Sequence, residues 1–291
     1  MMAYDCKTEN ILAVLVLYER DIEQAESLIT LKSLLSESIN TRLVLKHILI
    51  YDNSERPHTL KLSDSTSNVT YVHNHHNGGT VAAYIEAIEL AQKIAADWLL
   101  LLDQDTILPL NYLTSAANEL NKTQVSRIDA LIPYVKHGEE IISPTLLTKY
   151  GSMIPFTYGR NKNEFNVVTA ISSGALLRRQ SLKKIFPLPL GIWLDYVDHC
   201  IFLQFHKLGY QILVFDSVIE HDLSVKSPLN ITEFRILSIL HGEYIIIRML
   251  GWYAILFYPV RFVGRLLKYS VKNPKLLIPM LKWVFSPSYF K

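Results

Sequence analysis

Cysteine is almost absent from this sequence of 291 residues, which contains only Cys6 and Cys200. Two cysteines that lie so far apart indicate neither a disulfide framework nor a zinc site built on cysteine. We therefore expect both thiols to be reduced, as in a cytosolic protein. A secretory signal is also missing from the N-terminal residues MMAYDCKTEN, which carry acidic side chains and lack a basic segment followed by an apolar one.

Apolar runs long enough to cross a bilayer are missing too. The first strong apolar run, residues 11–18, is far shorter than the roughly 20 residues that a membrane-spanning helix needs. The sequence is nevertheless 49% hydrophobic and 19% charged, which is the composition of a folded protein with a sizeable core. Its length permits one large domain or two small ones.

Acidic residues are missing from the C-terminal stretch, since no Asp or Glu follows Glu243. Eight of the 29 basic residues lie in that stretch, so residues 1–243 hold 21 bases against 27 acids, a net charge of −6. An acidic body argues against a nucleic-acid-binding protein, whose basic residues would cover the binding face. The basic C-terminal stretch is expected to have a partner of its own.

Strand-like and helix-like segments alternate along most of the chain. Apolar runs predict early strands at residues 11–18, 47–55, 69–74 and 98–105. Helical spacing follows the first run over residues 21–38 and resumes after Gly78 and Gly79. Further strand candidates are residues 130–135, 170–178 and 211–217. This alternation predicts an α/β fold, a mostly parallel sheet flanked by helices, with a C-terminal helical tail that is apolar and basic. We expect a catalytic domain over residues 1–243 and the tail over residues 244–291.

Polar residues follow the predicted strands at the points where the strands end. Asp52 ends the second strand, Asn77 follows the third, and Asp103 and Asp105 end the fourth. Ligands bind at the carboxyl ends of the strands in such sheets. Two carboxylates two positions apart at the end of a buried strand would repel each other unless a cation or solvent relieved them. A hard divalent ion such as Mg²⁺ or Mn²⁺ fits that need, and a solvated turn is the simpler alternative.

Six segments, taken in order, resemble family-two glycosyltransferases with the GT-A (Rossmann-like) fold, especially their rhamnosyltransferase-like branch. The segments are VLVLYER (14–20), ILIYDNS (48–54), HNGGTVAAYIEAIELA (76–91), WLLLLDQDT (98–106), SSGALLRR (172–179) and WLDYVDHCIFLQFHKLGYQI (193–212), with IEH at 219–221. The resemblance covers about three-quarters of the chain. It implies an inverting transferase that moves a sugar, rhamnose being one candidate, from a UDP- or dTDP-sugar to a saccharide or lipid-linked acceptor in surface glycan synthesis.

The resemblance also implies a role for each matching residue. The donor-binding residues would be Tyr18, Glu19, Asp52, Asn77, Gly78 and Asp103. The ligands of the divalent metal would be Asp103, Asp105 and His221. The acceptor side would hold Ser173, Gly174, Trp193 and Asp195. Asp198 would be the catalytic base, with Asp195 as the alternative base.

Two positions depart from the family pattern near the base. Cys200 stands where the family often has Glu, and Gln204 stands where it often has Arg. One alternative is therefore a nucleotide-sugar-binding or scaffolding protein without turnover. A nucleotidyltransferase is the other alternative, but the chain lacks the Gly-rich, basic N-terminal loop that holds a triphosphate. His199, His206 and His241 are expected to be packing or surface residues.

The C-terminal tail mixes bases with aromatic and aliphatic residues. Pro259 and Arg261 interrupt its first apolar stretch, which argues against a membrane-spanning helix. Tyr, Trp, Lys and Arg beside apolar faces are typical of helices that lie in a membrane interface. We expect a peripheral protein at the cytoplasmic face of the cell membrane, bound to anionic lipid. An ordinary helical subdomain or a homodimer contact through the tail is the alternative.

Overall fold

The structure is a computed structural model that describes residues 8–37, 41–58, 68–123, 125, 127–157, 166–221 and 231–285. Cys6 and the last base of the tail, Lys291, lie outside these residues. The strands of the described chain are β1 (Glu9–Leu17), β2 (Leu43–Asp52), β3 (Val69–His73), β4 (Trp98–Asp103), β5 (Ala130–His137), β6 (Glu140–Ser143), β7 (Thr145–Leu147), β8 (Met153–Pro155), β9 (Val167–Thr169), β10 (Ala175–Arg178) and β11 (Ile212–Glu220). The α-helices are α1 (Glu26–Glu37), α2 (Gly79–Lys93), α3 (Tyr112–Lys122), α4 (Arg179–Ile185), α5 (Val197–Lys207), α6 (Glu233–Leu250), α7 (Trp252–Lys272) and α8 (Leu277–Phe285).

The main sheet of the described chain has the order β11-β5-β10-β4-β1-β2-β3, with β6 paired to β5. Strands β4, β1, β2 and β3 run parallel, as do β5 and β11. Strand β10 runs antiparallel between β4 and β5. A small second sheet has the order β8-β7-β9. The predicted α/β fold with a mostly parallel sheet and a C-terminal helical region is therefore confirmed.

Both faces of the main sheet are buried, which explains why its central strands read as continuous apolar runs. Along β1, Leu12 and Val14 belong to one apolar core and Ile11, Ala13 and Leu15 to the other. Successive side chains of a strand point to opposite faces, so a strand covered on both sides is apolar at every position.

Most of the early elements lie where the sequence predicts them. The helix expected over residues 21–38 begins with a 3₁₀ turn, Ile22–Gln24, before α1. Strand β2 begins at Leu43, earlier than its apolar run suggests. The single strand expected over residues 170–178 is only β10, because residues 170–174 form a turn between β9 and β10.

Helices α6, α7 and α8 form a C-terminal layer with an apolar cluster of its own. Its members include Leu240, Phe262, Tyr269, Met280 and Trp283. The boundary expected between residues 243 and 244 falls inside α6, which runs through Leu250. Among the described helices, none is long and apolar enough to span a membrane.

Candidate active site

The carboxyl ends of the parallel strands meet at one edge of the main sheet. Register pairs Asp103 of β4 with Val16 of β1, and Leu17 of β1 with Asp52 of β2. The chain passes from β1 to β2 on one side, while β4 lies on the other side of β1. This reversal of strand order makes the end of β1 and β4 a topological switch point, the usual ligand site of such sheets.

The turn Asp103-Gln104-Asp105 is held by neighbours on both sides. The buried Ser27 of α1 donates its hydroxyl hydrogen bond to the carbonyl oxygens of Asp103 and Thr106. The side chain of Gln104 accepts a hydrogen bond of 2.9 Å from the backbone N–H of Tyr18. The turn is thus fixed to both α1 and the end of β1, and its two carboxylates keep a defined spacing.

Three titratable side chains converge at this turn. His221, which follows β11, has Nδ1 3.1 Å from Asp105 Oδ1 and Nε2 3.9 Å from Asp103 Oδ2. The Ser173 hydroxyl donates to Asp103 Oδ2. Desolvation raises the pKa of Asp103, and the carboxylates of Asp105 and Asp198 act in the same direction, while His221 and Ser173 oppose them. The site therefore concentrates negative charge that a cation would relieve.

The donor set of this cluster suits a hard divalent ion. Carboxylate oxygens are the ligands that Mg²⁺ prefers, and imidazole suits several transition metals. Within the residues that the structure describes, no group of three or more His, Cys, Asp or Glu side chains is already arranged around one metal position. Asp103, Asp105 and His221 thus make a partial site, which a ligand with its own oxygen atoms would have to complete.

A cleft of about 460 Å³ opens over the turn. Six of the predicted site residues line it: Tyr18, Asp103, Asp105, Asp195, Asp198 and His221. The structure therefore brings the predicted metal ligands and both candidate bases into one cavity.

The two candidate bases have different surroundings in this cleft. Asp195 forms an ion pair of 2.9 Å with Arg235 of α6, and its side chain is 8% exposed. Desolvation raises the pKa of Asp195, Arg235 and Ser238 oppose that shift, and Asp198 adds to it. Asp198 lies in the first turn of α5, where its Oδ1 accepts a 2.7 Å hydrogen bond from the backbone N–H of His199.

Asp52 does not line the cleft and is fully buried at the end of β2. Its Oδ1 accepts from the backbone N–H of Ser54, and its Oδ2 accepts from the hydroxyl of Tyr71 and contacts Nδ1 of His58 at 2.8 Å. Burial disfavours the charged carboxylate, but these hydrogen bonds outweigh it and lower the pKa of Asp52. Glu19, another predicted donor residue, accepts a hydrogen bond from the backbone N–H of Glu55 beside this cluster.

The Asn77-Gly78 turn is a structural junction outside the cleft lining. Asn77 has a positive φ of 48° and accepts a hydrogen bond from the N–H of Gly79. Gly79 also has a positive φ, 66°, and a Cβ there would lie 2.3 Å from the carbonyl oxygen of Trp193. The start of α2 therefore packs directly on Trp193, and only glycine fits at this contact.

The remaining residues predicted for the acceptor side lie just behind the cleft. Ser173 is buried beneath Asp103, and Gly174 has a φ of 77° that directs the chain into β10. A Cβ on Gly174 would lie 2.6 Å from Ile219 of β11. Trp193 has a buried indole N–H that lacks a hydrogen-bond partner among the described residues.

Several cleft residues escape the sequence analysis. The missed polar residues include Thr80, Gln104, His199, Arg235, Arg265 and Tyr269. Arg235 comes from α6 and Arg265 and Tyr269 from α7, so the C-terminal helices form part of the wall. The acid-free stretch of the sequence indicates a basic tail. It does not predict that the tail folds back onto the carboxyl ends of the parallel strands.

Cys200, one of the two departures from the family pattern, is buried on α5 against Met249 of α6. Burial raises the pKa of its thiol to about 12. A carboxylate at this position would be buried against the sulfur of Met249, which would cost free energy.

Comparison with known proteins agrees with this architecture. Residues 15–186 match the family model described as glycosyl transferase family 2. No curated protein matches the chain. A crystal structure of GalNAc-T7 with UDP, GalNAc and Mn²⁺ has a TM-score of 0.55 and 11% identity, covering 82% of this chain and 48% of that one. The structure of S. aureus TarS has a TM-score of 0.45 and 14% identity, covering 82% of this chain and 40% of that one. The chain thus spans about half the length of GalNAc-T7, with which it shares the fold.

Proposed function

The chain belongs to glycosyl transferase family 2, and on that premise we propose that it is an inverting glycosyltransferase. It would move a sugar from a UDP- or dTDP-sugar to a saccharide or lipid-linked acceptor. The observation that supports this best is the cleft at the end of β1 and β4, where Asp103, Asp105 and His221 lie in the same cavity as Asp198.

The chemical step needs one base and one stabilised leaving group. In our proposal, Asp198 accepts the proton of an acceptor hydroxyl while that oxygen attacks the anomeric carbon of the donor. The bond from that carbon to the nucleoside diphosphate breaks at the opposite face, which inverts the configuration. Asp195 is less suited to this role because Arg235 already holds its carboxylate.

A divalent metal, Mg²⁺ or Mn²⁺, would be held by Asp103, Asp105 and His221 together with oxygens of the diphosphate. It would neutralise the charge that develops on the leaving group. The fold neighbour GalNAc-T7 was crystallised with Mn²⁺ and UDP, which supports this part of the proposal.

The donor side would consist of Tyr18 and Glu19, which would flank the pyrimidine base of the donor, and of Asn77 and Gly78, which would lie beside the nucleotide. Asp52 would contact the pyrimidine ring, but its Oδ2 is bonded to Tyr71 and His58. A pyrimidine base that forms a hydrogen bond with this oxygen of Asp52 would therefore displace His58. Ser173, Gly174 and Trp193 would shape the acceptor side from behind the residues that line the cleft.

Rhamnose from dTDP-rhamnose is our candidate sugar, and a surface polysaccharide is our candidate product. The test is a panel of UDP- and dTDP-sugars incubated with the protein and Mn²⁺, with release of nucleoside diphosphate as the readout. We expect one donor to be hydrolysed well above the others, and Asp103→Asn to abolish that hydrolysis. Tight binding of a nucleoside diphosphate without hydrolysis or transfer of any sugar would instead identify a binding protein without turnover.

The C-terminal helix α7 is proposed to hold the enzyme on the cytoplasmic face of a membrane. One stripe of α7 is apolar and exposed, consisting of Leu256, Val260, Val263, Leu267 and Val271. Its spacing of three and four residues places it on a single helix face. Lysines on α7 and after it supply positive charge next to this stripe, as expected for anionic lipid. A homodimer contact through the same stripe is the alternative.

A further inference from the structure

The segment of residues 191–196, which precedes Asp198, packs closely against α6 at two glycines, one on each side of the contact. Gly191 has a φ of 89°, and a Cβ there would lie 2.2 Å from Nε2 of His241. A Cβ on Gly242, the next residue of α6, would lie 2.8 Å from the carbonyl oxygen of Asp195 and 3.1 Å from Cβ of Tyr196. Helix α6 therefore touches this segment without room for a further side chain.

Glu243, which follows His241 and Gly242 in α6, links the segment to α7. Its buried carboxylate oxygen Oε1 accepts hydrogen bonds of 2.9 Å from Arg261 and 2.8 Å from Arg265. Arg265 also donates a 3.3 Å hydrogen bond to the hydroxyl of Tyr196. One carboxylate thus orients two guanidinium groups, and one of these reaches the residue that precedes α5.

Tyr196 holds a backbone conformation that needs outside support. Its φ is 64°, in the left-handed region, which is sterically unfavourable for a bulky residue. The residue lies directly between Asp195 and α5, so its dihedral angles set the direction in which α5 and Asp198 begin. A change at Tyr196 would move Asp198 relative to Asp103 and Asp105 in the cleft.

We infer that Arg265, oriented by Glu243, is a positioning residue that fixes the 191–196 segment, and with it Asp198, through its hydrogen bond to Tyr196. This inference rests on the proposed function, since it assigns a role in the transfer step. It makes α7, which lies beyond the matched residues 15–186, a working part of the catalytic cleft.

The test compares Arg265→Met, Tyr196→Phe and the double variant, with Arg248→Met as a control that removes an exposed guanidinium group from α6. Each single variant should lower kcat about 10-fold, with KM for the donor within about twofold, because the base is misplaced while the donor side is intact. The double variant should be no slower than Arg265→Met, because both substitutions remove the same hydrogen bond between Arg265 and the hydroxyl of Tyr196. The control should behave as the unmutated protein in a vesicle-free assay.

Hydrogen exchange supplies a readout that does not depend on turnover. The amide of Cys200, bonded to the carbonyl of Tyr196 at 2.9 Å, and its neighbours in the first turn of α5 should exchange faster in Arg265→Met and in Tyr196→Phe than in the control. Unchanged exchange would overturn the inference, as would additive losses of kcat or a loss confined to KM, which would mean that Arg265 binds substrate directly. A protein that transfers no sugar would refute the proposed function, while the exchange experiment would still decide whether Arg265 fixes the segment.

Discussion

At the scale of single residues, Asp195 and Asp198 are two carboxylates of one cleft with different partners. Arg235 neutralises Asp195, whose side chain is almost inaccessible. The side chain of Asp198 is 20% exposed, and its Oδ1 lies 3.9 Å from Nε2 of His199. A general base must reach the acceptor and be able to take up a proton. Asp198 meets the first condition better, because its side chain is more exposed to the cleft and is not held in an ion pair with arginine.

Asp198→Asn is therefore expected to cut sugar transfer by roughly 100-fold or more, with donor affinity nearly unchanged. The amide keeps the size of the side chain and can still accept from the N–H of His199. Initial rates with a soluble acceptor and donor binding by calorimetry measure the two effects. Asp195→Asn serves as the comparison and should cost less catalysis. A fully active Asp198→Asn beside a dead Asp195→Asn would make Asp195 the base.

Asp105→Asn should weaken binding of UDP or dTDP only when Mn²⁺ or Mg²⁺ is present. Oδ1 of Asp105 lies 3.1 Å from Nδ1 of His221. In our proposal, this carboxylate contacts the diphosphate through a cation. Calorimetric titration with metal and with a chelator separates the two conditions. If the unmutated protein binds the nucleotide equally well in both, no metal takes part in binding and this assignment fails.

The sequence identifies the residues of the cleft that stand at strand ends, and it misses those that come from distant helices. Asp103 and Asp105 follow an apolar strand, so the general position of ligands in parallel sheets is enough to find them. Arg235 and Arg265 belong to helices that reach the cleft only through tertiary packing. The burial of Asp52 under His58 and Tyr71 likewise depends on side-chain contacts that no spacing of residues reveals.

At the scale of elements, the start of β1 is tied to its neighbours by one carboxylate. Glu9 accepts hydrogen bonds from Arg42, which precedes β2, from the indole of Trp98 in β4, and from Arg178 at the end of β10. Burial disfavours its charge, but these partners outweigh burial and lower its pKa below 4.5. Glu9 thus joins three strands at the edge of the sheet opposite the cleft.

Glu9→Gln should destabilise the fold by about 2 kcal/mol at neutral pH, because charged hydrogen bonds to three donors are weakened. A pKa that is lower in the folded state gives stability that is present above the unfolded pKa and is lost as pH falls through the folded value. The difference between the two proteins should therefore shrink below about pH 4.5. Urea unfolding at several pH values measures it, with the exposed Glu89→Gln on α2 as the control. A difference that stays constant with pH would contradict this role.

The C-terminal helices show why their boundaries are difficult to read from sequence. Glu243 is the last acid of the chain, which makes it look like the end of an acidic domain. In the structure it is buried in the middle of α6, where it holds Arg261 and Arg265 of α7. The change in charge along the sequence therefore marks a contact between two helices.

At the scale of the whole molecule, α7 joins the cleft to an exposed apolar surface. Arg261, Arg265 and Tyr269 recur every fourth residue and face inward, toward α6 and the cleft. Leu267 and Val271 on the outer stripe are 61% and 81% exposed. In our proposal, one helix thus lines the catalytic cleft with its inner face, while its outer face is apolar and exposed among the described residues. Removal of the whole tail would destroy both, so substitutions on the outer face separate membrane binding from catalysis.

The Leu267→Glu variant should release the enzyme from anionic vesicles while transfer to a soluble acceptor stays intact. The change places a negative charge in the outer stripe, where it removes apolar burial and repels the lipid surface. Each basic residue near such a surface contributes roughly 1 kcal/mol, so high salt should weaken vesicle binding of the unmutated protein as well. Sedimentation with vesicles of neutral and anionic composition measures both effects. Ile29→Glu, which changes a similarly exposed residue on α1 (56% exposed), should sediment like the unmutated protein. If Leu267→Glu leaves vesicle binding unchanged but converts a dimer to a monomer, the outer stripe is a contact between two copies of the chain and not a membrane surface.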